Sequence, residues 1–124
     1  MFENIAFHAT LPAADLARAK QWYAEKLGLT PVEDNEGASW FETGGVRFLL
    51  YESSFAGSNQ ATAASLAAAD FDAAIAELRE AGVEFEEYDL GEIKTVDGVM
   101  TTPDGVRVAW FKDSEGNILS IAAS

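Results

Sequence analysis

Two segments of the chain carry apolar residues at helical spacing. The first begins after Asp15, whose carboxylate can accept hydrogen bonds from the free amides of a first helical turn. It ends at Gly28, because glycine readily takes the left-handed conformation that terminates a helix. The intervals of three and four residues predict an amphipathic helix with one face in the core. The apolar stripe consists of Leu16, Ala19, Tyr23 and Leu27.

The second segment repeats this pattern, with Asp70 as the capping residue and Gly82 as the stop. Self-similarity over about half of a chain indicates two copies of one structural unit. We therefore predict two modules, the first at about residues 1–55 and the second at about residues 60–124. The apolar stripe of the second segment consists of Phe71, Ala74, Ile75 and Leu78.

Shorter segments with the composition of strands surround the two predicted helices. Gly44-Gly45 is typical of a tight hairpin, and Asp113–Asn117 is a strong turn sequence. Each half reads strand-helix-strand-strand-strand, which predicts an α+β fold of two tandem βαβββ modules. The predicted strands are Ile5–Leu11, Thr30–Asn35, Ala38–Thr43, Val46–Tyr51, Ala61–Ala69, Val83–Tyr88, Val106–Lys112 and Ile118–Ala122.

Two segments do not follow a single pattern. Ala61–Ala69 is rich in alanine and favours a helix on propensity alone. We predict a strand there because the repeat places it where Ile5–Leu11 lies in the first half. The stretch Gly91–Met100 has weak periodicity and fits either a loop, which could cover a ligand, or an irregular strand.

Length and composition narrow the class of protein. The 124 residues suit a single domain over residues 1–124. No cysteine is present, which excludes disulfides, thiol nucleophiles and thiolate metal sites. No signal peptide and no apolar run of about 20 residues is visible, so we expect a cytoplasmic protein.

The charge balance is strongly acidic, with 21 acidic residues against 8 basic ones and a net charge of −13. Such a charge repels phosphates and anionic membrane surfaces, so we expect neither nucleic acid nor a membrane as a partner. The acidity fits a solvated surface that aids solubility. Alternatively, it reflects a site for a cationic ligand.

Five short motifs accompany the repeat: His8, Asp15-Leu16, Trp22-Tyr23, Leu27-Gly28-Leu29 and the run from Trp110 to Leu119. In this order they resemble the vicinal oxygen chelate superfamily, which includes glyoxalase I, extradiol dioxygenases and bleomycin-binding proteins. The last run is similar to the family's turn into the closing strand, with Ser114 where proline is usual. The resemblance implies that the two modules form a curved mixed sheet around a cavity.

The resemblance also implies where a metal would bind. Metal-dependent members hold a divalent ion with His, Gln or Glu from four strands, two in each module, and the metal then chelates the substrate. The first position corresponds to His8. The two positions of the second module correspond to Ala63 and Ser120, which lack a carboxylate or an imidazole. We therefore expect no metal cofactor.

The remaining position lies near the end of Val46–Tyr51. Alternation directs Leu49 and Tyr51 into the cavity, whereas a slip of one residue would direct Glu52 there instead. Aromatic residues of the strands can line the cavity and stack on a planar ligand. The predicted ligand-binding residues are His8, Leu49, Tyr51, Glu52, Trp110 and Ser120.

His8 is the one histidine of the chain, and three roles are open for it. It is a strand histidine hydrogen-bonded to a neighbour, a ligand contact, or a general acid or base, since an ordinary pKa of about 6.5 suits neutral pH. The candidate catalytic residues are His8, Tyr51 and Glu52.

Three functions are consistent with these residues. The first, which we favour, is a small-molecule binder without a metal, similar to bleomycin resistance proteins. The second is a metal-dependent lyase, isomerase or dioxygenase, against which Ala63 and Ser120 argue. The third is a metal-free enzyme that uses His8, Tyr51 or Glu52 as acid or base.

The resembled family pairs its modules either within one chain or between two chains. The link at about Ser53–Gln60 permits both, because Gly57-Ser58-Asn59 allows a tight return or an exchange. We expect a homodimer, because curved sheets leave edges that a second copy can cover.

Overall fold

The computed structural model describes all 124 residues of the chain. It contains two helices, two four-stranded sheets and a two-stranded hairpin. No helix is both long and apolar enough to cross a membrane. In chain order the elements are β1 (Ala9–Ala13), α1 (Leu16–Leu27), β2 (Glu33–Asn35), β3 (Ala38–Thr43), β4 (Val46–Glu52), β5 (Thr62–Ala68), α2 (Phe71–Glu80), β6 (Asp89–Leu90), β7 (Ile93–Lys94), β8 (Val99–Thr101), β9 (Arg107–Lys112) and β10 (Ile118–Ala123).

Both sheets have the same strand order. The first runs β1-β4-β3-β2 and the second runs β5-β10-β9-β8. In each sheet the opening strand pairs in parallel with the closing strand, and the other pairs are antiparallel. This topology confirms the prediction of two tandem βαβββ modules.

The helices begin and end where the sequence predicts. Asp15 caps α1 by accepting a hydrogen bond from the Arg18 amide at 3.0 Å, and Gly28 ends the helix at a φ of 67°. Asp70 caps α2 in the same way through the Ala73 amide. Short polar caps and a left-handed terminal residue satisfy the amides and carbonyls that a helix end leaves free.

The alanine-rich segment forms β5, so the prediction from the repeat is confirmed against helix propensity. Tertiary pairing decides the outcome, because β5 lies beside β10 with Ser65 opposite Ser120 and Leu66 opposite Ile121. The predicted hairpin at Gly44-Gly45 is confirmed as well, and both glycines have positive φ angles.

The predicted first strand is displaced towards the C-terminus. Strand pairing begins at Ala9, opposite Phe48, and the side chains of Ile5 and Phe7 are exposed rather than packed. The reason is the length of the partner strand. Because β4 starts at Val46, directly after a hairpin, residues that precede Phe7 have no strand to pair with.

Two other predicted strands differ from the structure. Only the last part of Thr30–Asn35 forms a strand, because Pro31 has no amide hydrogen to donate. The segment Val83–Tyr88 forms only an isolated bridge, and the fourth strand of the second sheet is β8, from the end of the stretch Gly91–Met100. The outer edge of β9 is shared: β8 pairs with its first half, and the Glu86 amide donates to the Trp110 carbonyl in its second half.

One apolar core spans both modules. Tyr23 of α1 lies against Phe41 and Phe48 of the first sheet, and the neighbouring Trp22 stacks on Phe111 of the second sheet. Phe71, Ile75 and Leu78 of α2 belong to the same core, so both helices pack on the core side of the sheets. The other faces of the sheets carry no helix. The largest fully buried apolar side chains are Tyr23, Phe41, Leu50, Phe111 and Leu119.

Candidate functional site

Each sheet has a face that is turned away from the helices, which we call the open face. In β4, Phe48 and Leu50 belong to the core side. Leu49 and Tyr51 alternate with them and lie on the open face, where Leu49 pairs with Thr10 on one side and Trp40 on the other. Trp40, Leu49 and Tyr51 are half-buried.

His8 lies at one end of this open face, just before β1. Its Nδ1 is 3.0 Å from the Arg47 carbonyl oxygen, and its ring meets the Trp40 ring edge-on at 5.2 Å. A carbonyl can only accept, so Nδ1 carries the proton of the neutral ring and Nε2 has a free lone pair. The Arg47 guanidinium stacks over Trp40 and pairs with Glu33 at 3.5 Å.

The three candidate catalytic residues do not lie together. Tyr51 follows Arg47, the strand neighbour of His8, by four residues, which corresponds to about 13 Å along the strand. Glu52 pairs with Ala13 at the end of β4, has the parity of the core side, and is exposed. The structure therefore forms no acid–base pair from His8, Tyr51 and Glu52.

Trp110 and Ser120 do lie together, on the open face of the second sheet. They are paired across β9 and β10, and Ser120 Oγ donates to Ser65 Oγ at 2.7 Å. Trp110 Nε1 donates to Thr62 Oγ1 at 3.1 Å, and the Tyr88 ring meets the indole edge-on. Burial and the nearby Glu86 raise the pKa of Tyr88, so its hydroxyl remains protonated at neutral pH.

Counting along the sequence did not identify Ser65. The register between β5 and β10 shifts beside Ile118, so that Ile118 pairs with Thr62 while Leu119 pairs with Ala64. Ala63 is the extra residue of this bulge and has no partner in β10. No local signal in the sequence marks the bulge, so a count of residues from Asp70 cannot detect it.

The side chains at the family's metal-binding positions do not fit a divalent cation. They are His8, Leu49 or Tyr51 of β4, Ala63 or Ser65 of β5, and Ser120, while Glu52, the alternative on β4, lies on the core side of that strand. Nitrogen and carboxylate donors are what such ions require. No three His, Asp or Glu side chains of the structure lie close enough together to hold one.

A cavity of about 500 Å³ lies between the two modules on the side of the helices. Both helices contribute to its walls, together with β1, β4, β5 and β10, and 14 of its 20 lining residues are apolar. None of the six predicted ligand-binding residues lines it. Its apolar walls include Leu11, Leu27, Phe48, Leu66, Leu78 and Ile121.

Two polar residues of α1 line the cavity. Tyr23 turns its ring to the cavity while its hydroxyl donates to Asp113 Oδ2 at 2.6 Å. Burial, and then the charge of Asp113, raise the pKa of Tyr23, so the phenol stays neutral. Lys26 lies further along α1 and donates from Nζ to the Ala81 carbonyl at 2.6 Å.

Comparisons with solved structures show the same fold. The chain is similar to a glyoxalase/bleomycin resistance protein/dioxygenase from Alicyclobacillus acidocaldarius, with a TM-score of 0.75 and 18% identity over 97% of this chain and 91% of that one. It is also similar to a glyoxalase/bleomycin resistance protein from Catenulispora acidiphila, with a TM-score of 0.71 and 23% identity over 96% of this chain and 97% of that one. A lactoylglutathione lyase from Agrobacterium tumefaciens gives a TM-score of 0.71 at 18% identity, over 97% and 94% of the two chains.

Sequence comparison gives the family directly. No curated protein matches the chain. The profile of one protein family matches residues 5–119, which is nearly the whole sequence. The chain therefore belongs to the Glyoxalase/Bleomycin resistance protein/Dioxygenase superfamily.

Proposed function

We propose that this protein binds a small organic molecule in the cavity between its modules and does so without a catalytic metal. The observation that carries the proposal is the cavity itself, about 500 Å³ in volume and mostly apolar. Pockets of this size and composition are typical of small-molecule sites. Two structural neighbours have names that include bleomycin resistance protein, and a binding function is proposed by analogy with that part of their names.

The absence of a suitable donor set supports the metal-free part of the proposal. Only His8 supplies a strong metal ligand at the family's positions, and it lies outside the cavity. One imidazole with hydroxyl neighbours does not give the affinity that a resident catalytic ion needs. We therefore propose that binding depends on apolar contact and not on chelation.

The experiment is a fluorescence titration with the neutral apolar probe N-phenyl-1-naphthylamine. Ala74 lines the cavity on α2, and the variant Ala74→Phe fills part of the space. Ala76 lies two residues further along the same helix and is exposed, so Ala76→Phe is the matched control. We expect Ala74→Phe to weaken probe binding about tenfold or more and Ala76→Phe to leave it within about twofold.

Equal affinity in the two variants would contradict the proposal. Circular dichroism and the unfolding midpoint of each variant separate a blocked cavity from an unfolded protein. If neither the wild type nor the variants bind the probe, the cavity is not a site for apolar molecules.

A second candidate function is a metal-free enzyme in which His8 acts as a general base. The observation that favours it is the hydrogen bond from Nδ1 to the Arg47 carbonyl, which leaves Nε2 free to take a proton. Neither Tyr51 nor Glu52 lies beside it, so His8 would act alone. A turnover assay on bound compounds, comparing wild type with His8→Gln, tests this candidate.

We further propose that the protein is a homodimer that covers the open faces. Trp40, Leu49 and Tyr51 leave apolar surface on one open face, and the side chains of Phe2 and Phe7, which precede His8 in the chain, are exposed. Exposed apolar patches are typical of protein interfaces. Light scattering after gel filtration tests the proposal, with Leu49→Asp expected to give a monomer and a wild-type monomer contradicting it.

A further inference from the structure

Lys26 contributes a charged side chain to the wall of a mostly apolar cavity. It lies near the end of α1, and its side chain is half-buried. One of its three N–H groups donates to the carbonyl of Ala81, at the end of α2. Because an ammonium has three donors, two remain free to bind another group.

No carboxylate lies within 4.0 Å of Lys26, although the chain has 21 acidic residues. Five of the 8 basic residues form ion pairs with Asp or Glu. Arg47, which also lines the cavity, is one of these and pairs with Glu33. Glu77 is the acidic residue of the cavity lining, and it is exposed and forms no ion pair with Lys26.

Three basic residues form no ion pair with Asp or Glu, and of these Lys26 is half-buried whereas Arg79 and Lys94 are exposed. Loss of water around a charge is unfavourable unless a charged or hydrogen-bonding partner replaces it. A ligand that brings a carboxylate to Lys26 and an apolar body to the walls satisfies both parts of the site. Charge-assisted hydrogen bonds of this type are stronger than neutral ones.

We propose that the cavity selects small apolar molecules that carry one carboxylate, and that Lys26 binds the carboxylate. This inference rests on the proposed function, because it specifies the ligand of the same cavity. The proposal predicts a preference for anionic ligands over cationic ones. The net charge of −13 alone would predict the reverse, because the overall field favours cations. The local ammonium and the global charge therefore predict opposite selectivity.

Three probes with the same eight-carbon chain separate these effects: octanoate, 1-octanol and octylammonium. Their affinities are measured at pH 7 and 150 mM salt by titration of ¹⁵N-labelled protein, followed by amide NMR. The chain length is common to all three probes, so a difference in affinity reports the head group. We expect octanoate to bind about tenfold more tightly than octylammonium, with 1-octanol between them.

Substitutions of Lys26 test the assignment to this residue. Lys26→Met keeps the apolar stem and removes the charge, whereas Lys26→Arg keeps the charge. Lys20 lies on the same helix and pairs with Asp34 away from the cavity, so Lys20→Met is the matched control. We expect Lys26→Met to weaken octanoate about tenfold and 1-octanol by less than twofold, and Lys26→Arg and Lys20→Met to retain the preference.

The ratio of octanoate to 1-octanol affinity is measured within each variant, so a loss of stability in Lys26→Met does not obscure the result. If 1-octanol binds in the cavity and this ratio is the same in wild type and Lys26→Met, the role of Lys26 is overturned while the proposed function stands. Tighter binding of octylammonium than of octanoate also overturns it. If none of the probes shifts the amides around the cavity, both proposals fail.

Discussion

The carboxylate of Glu115 and the guanidinium of Arg18 form a two-point hydrogen-bonded pair between the modules. Arg18 Nε and Nη2 donate to the two carboxylate oxygens, each at 2.9 Å. The Asp15 amide donates to the same carboxylate at 3.0 Å. The β9–β10 turn of the second module is thereby tied to the start of α1 in the first.

This pair makes stability depend on acid pH. The hydrogen bonds from Arg18, together with the amide of Asp15 and the Ser114 hydroxyl, lower the pKa of Glu115 from 4.5 to about 2, although burial opposes the shift. The folded state therefore holds the ionised carboxylate more strongly than the unfolded state does. The contribution of the ionised Glu115 to the free energy of unfolding is complete above pH 4.5 and is lost as the pH falls towards 2.

We expect Glu115→Gln to lower the free energy of unfolding by about 1–3 kcal/mol at pH 7. The difference from wild type should shrink steadily between pH 4.5 and pH 2, as measured by urea denaturation at several pH values. Glu25→Gln is the control, since Glu25 is exposed and bonds only to Gln21 on its own helix. A difference that is independent of pH would contradict the account of the pair.

A second tie between the modules is the hydrogen bond from Tyr23 to Asp113. Both residues are buried, and the hydroxyl is 2.6 Å from Oδ2. Tyr23→Phe removes one donor from a buried carboxylate and should cost about 1–2 kcal/mol of unfolding free energy. Tyr51→Phe is the matched control, because the Tyr51 hydroxyl makes no hydrogen bond to the protein, and it should be neutral within about 0.5 kcal/mol.

Gly98 provides a test of the close packing before β8. It has a φ of 79°, and a Cβ at this position would lie 2.7 Å from the Cβ of Phe85. Gly91 has the same φ of 79°, but a Cβ there would meet no atom within 4 Å. Gly91→Ala therefore measures the conformational cost of a side chain at this φ without a steric clash. We expect Gly91→Ala to cost about 1 kcal/mol and Gly98→Ala about 2 kcal/mol or more, measured by thermal unfolding. Equal costs for the two variants would show that the contact with Phe85 does not constrain the backbone.

Much of the fold follows from local signals in the sequence. The capping residues Asp15 and Asp70 and the stop at Gly28 predict the helices, because they satisfy free backbone groups directly. The repeat corrects the propensity of the alanine-rich segment, which forms β5. Prediction from the sequence is weaker where a segment needs a free partner strand to pair with. Val83–Tyr88 has the alternating pattern of a strand. It forms only an isolated bridge because β8 occupies part of the β9 edge.

The candidate site is predictable only in part, for a similar reason. Alternation along β4 places Leu49 and Tyr51 on one face, and the structure agrees with that parity. A cavity between packed modules depends on how two helices meet across the core, and no periodicity encodes this arrangement. Lys26 was therefore not identified from the sequence, although it lies in the first predicted helix.

Metal content and probe affinity, measured on the same preparation before and after dialysis against EDTA, show whether the cavity binds small molecules without a metal. We expect less than about 0.1 equivalent of transition metal per chain and an affinity for N-phenyl-1-naphthylamine that changes by less than about twofold. One tightly held equivalent of zinc, nickel, manganese or iron, whose removal abolishes probe binding, would contradict metal-free binding.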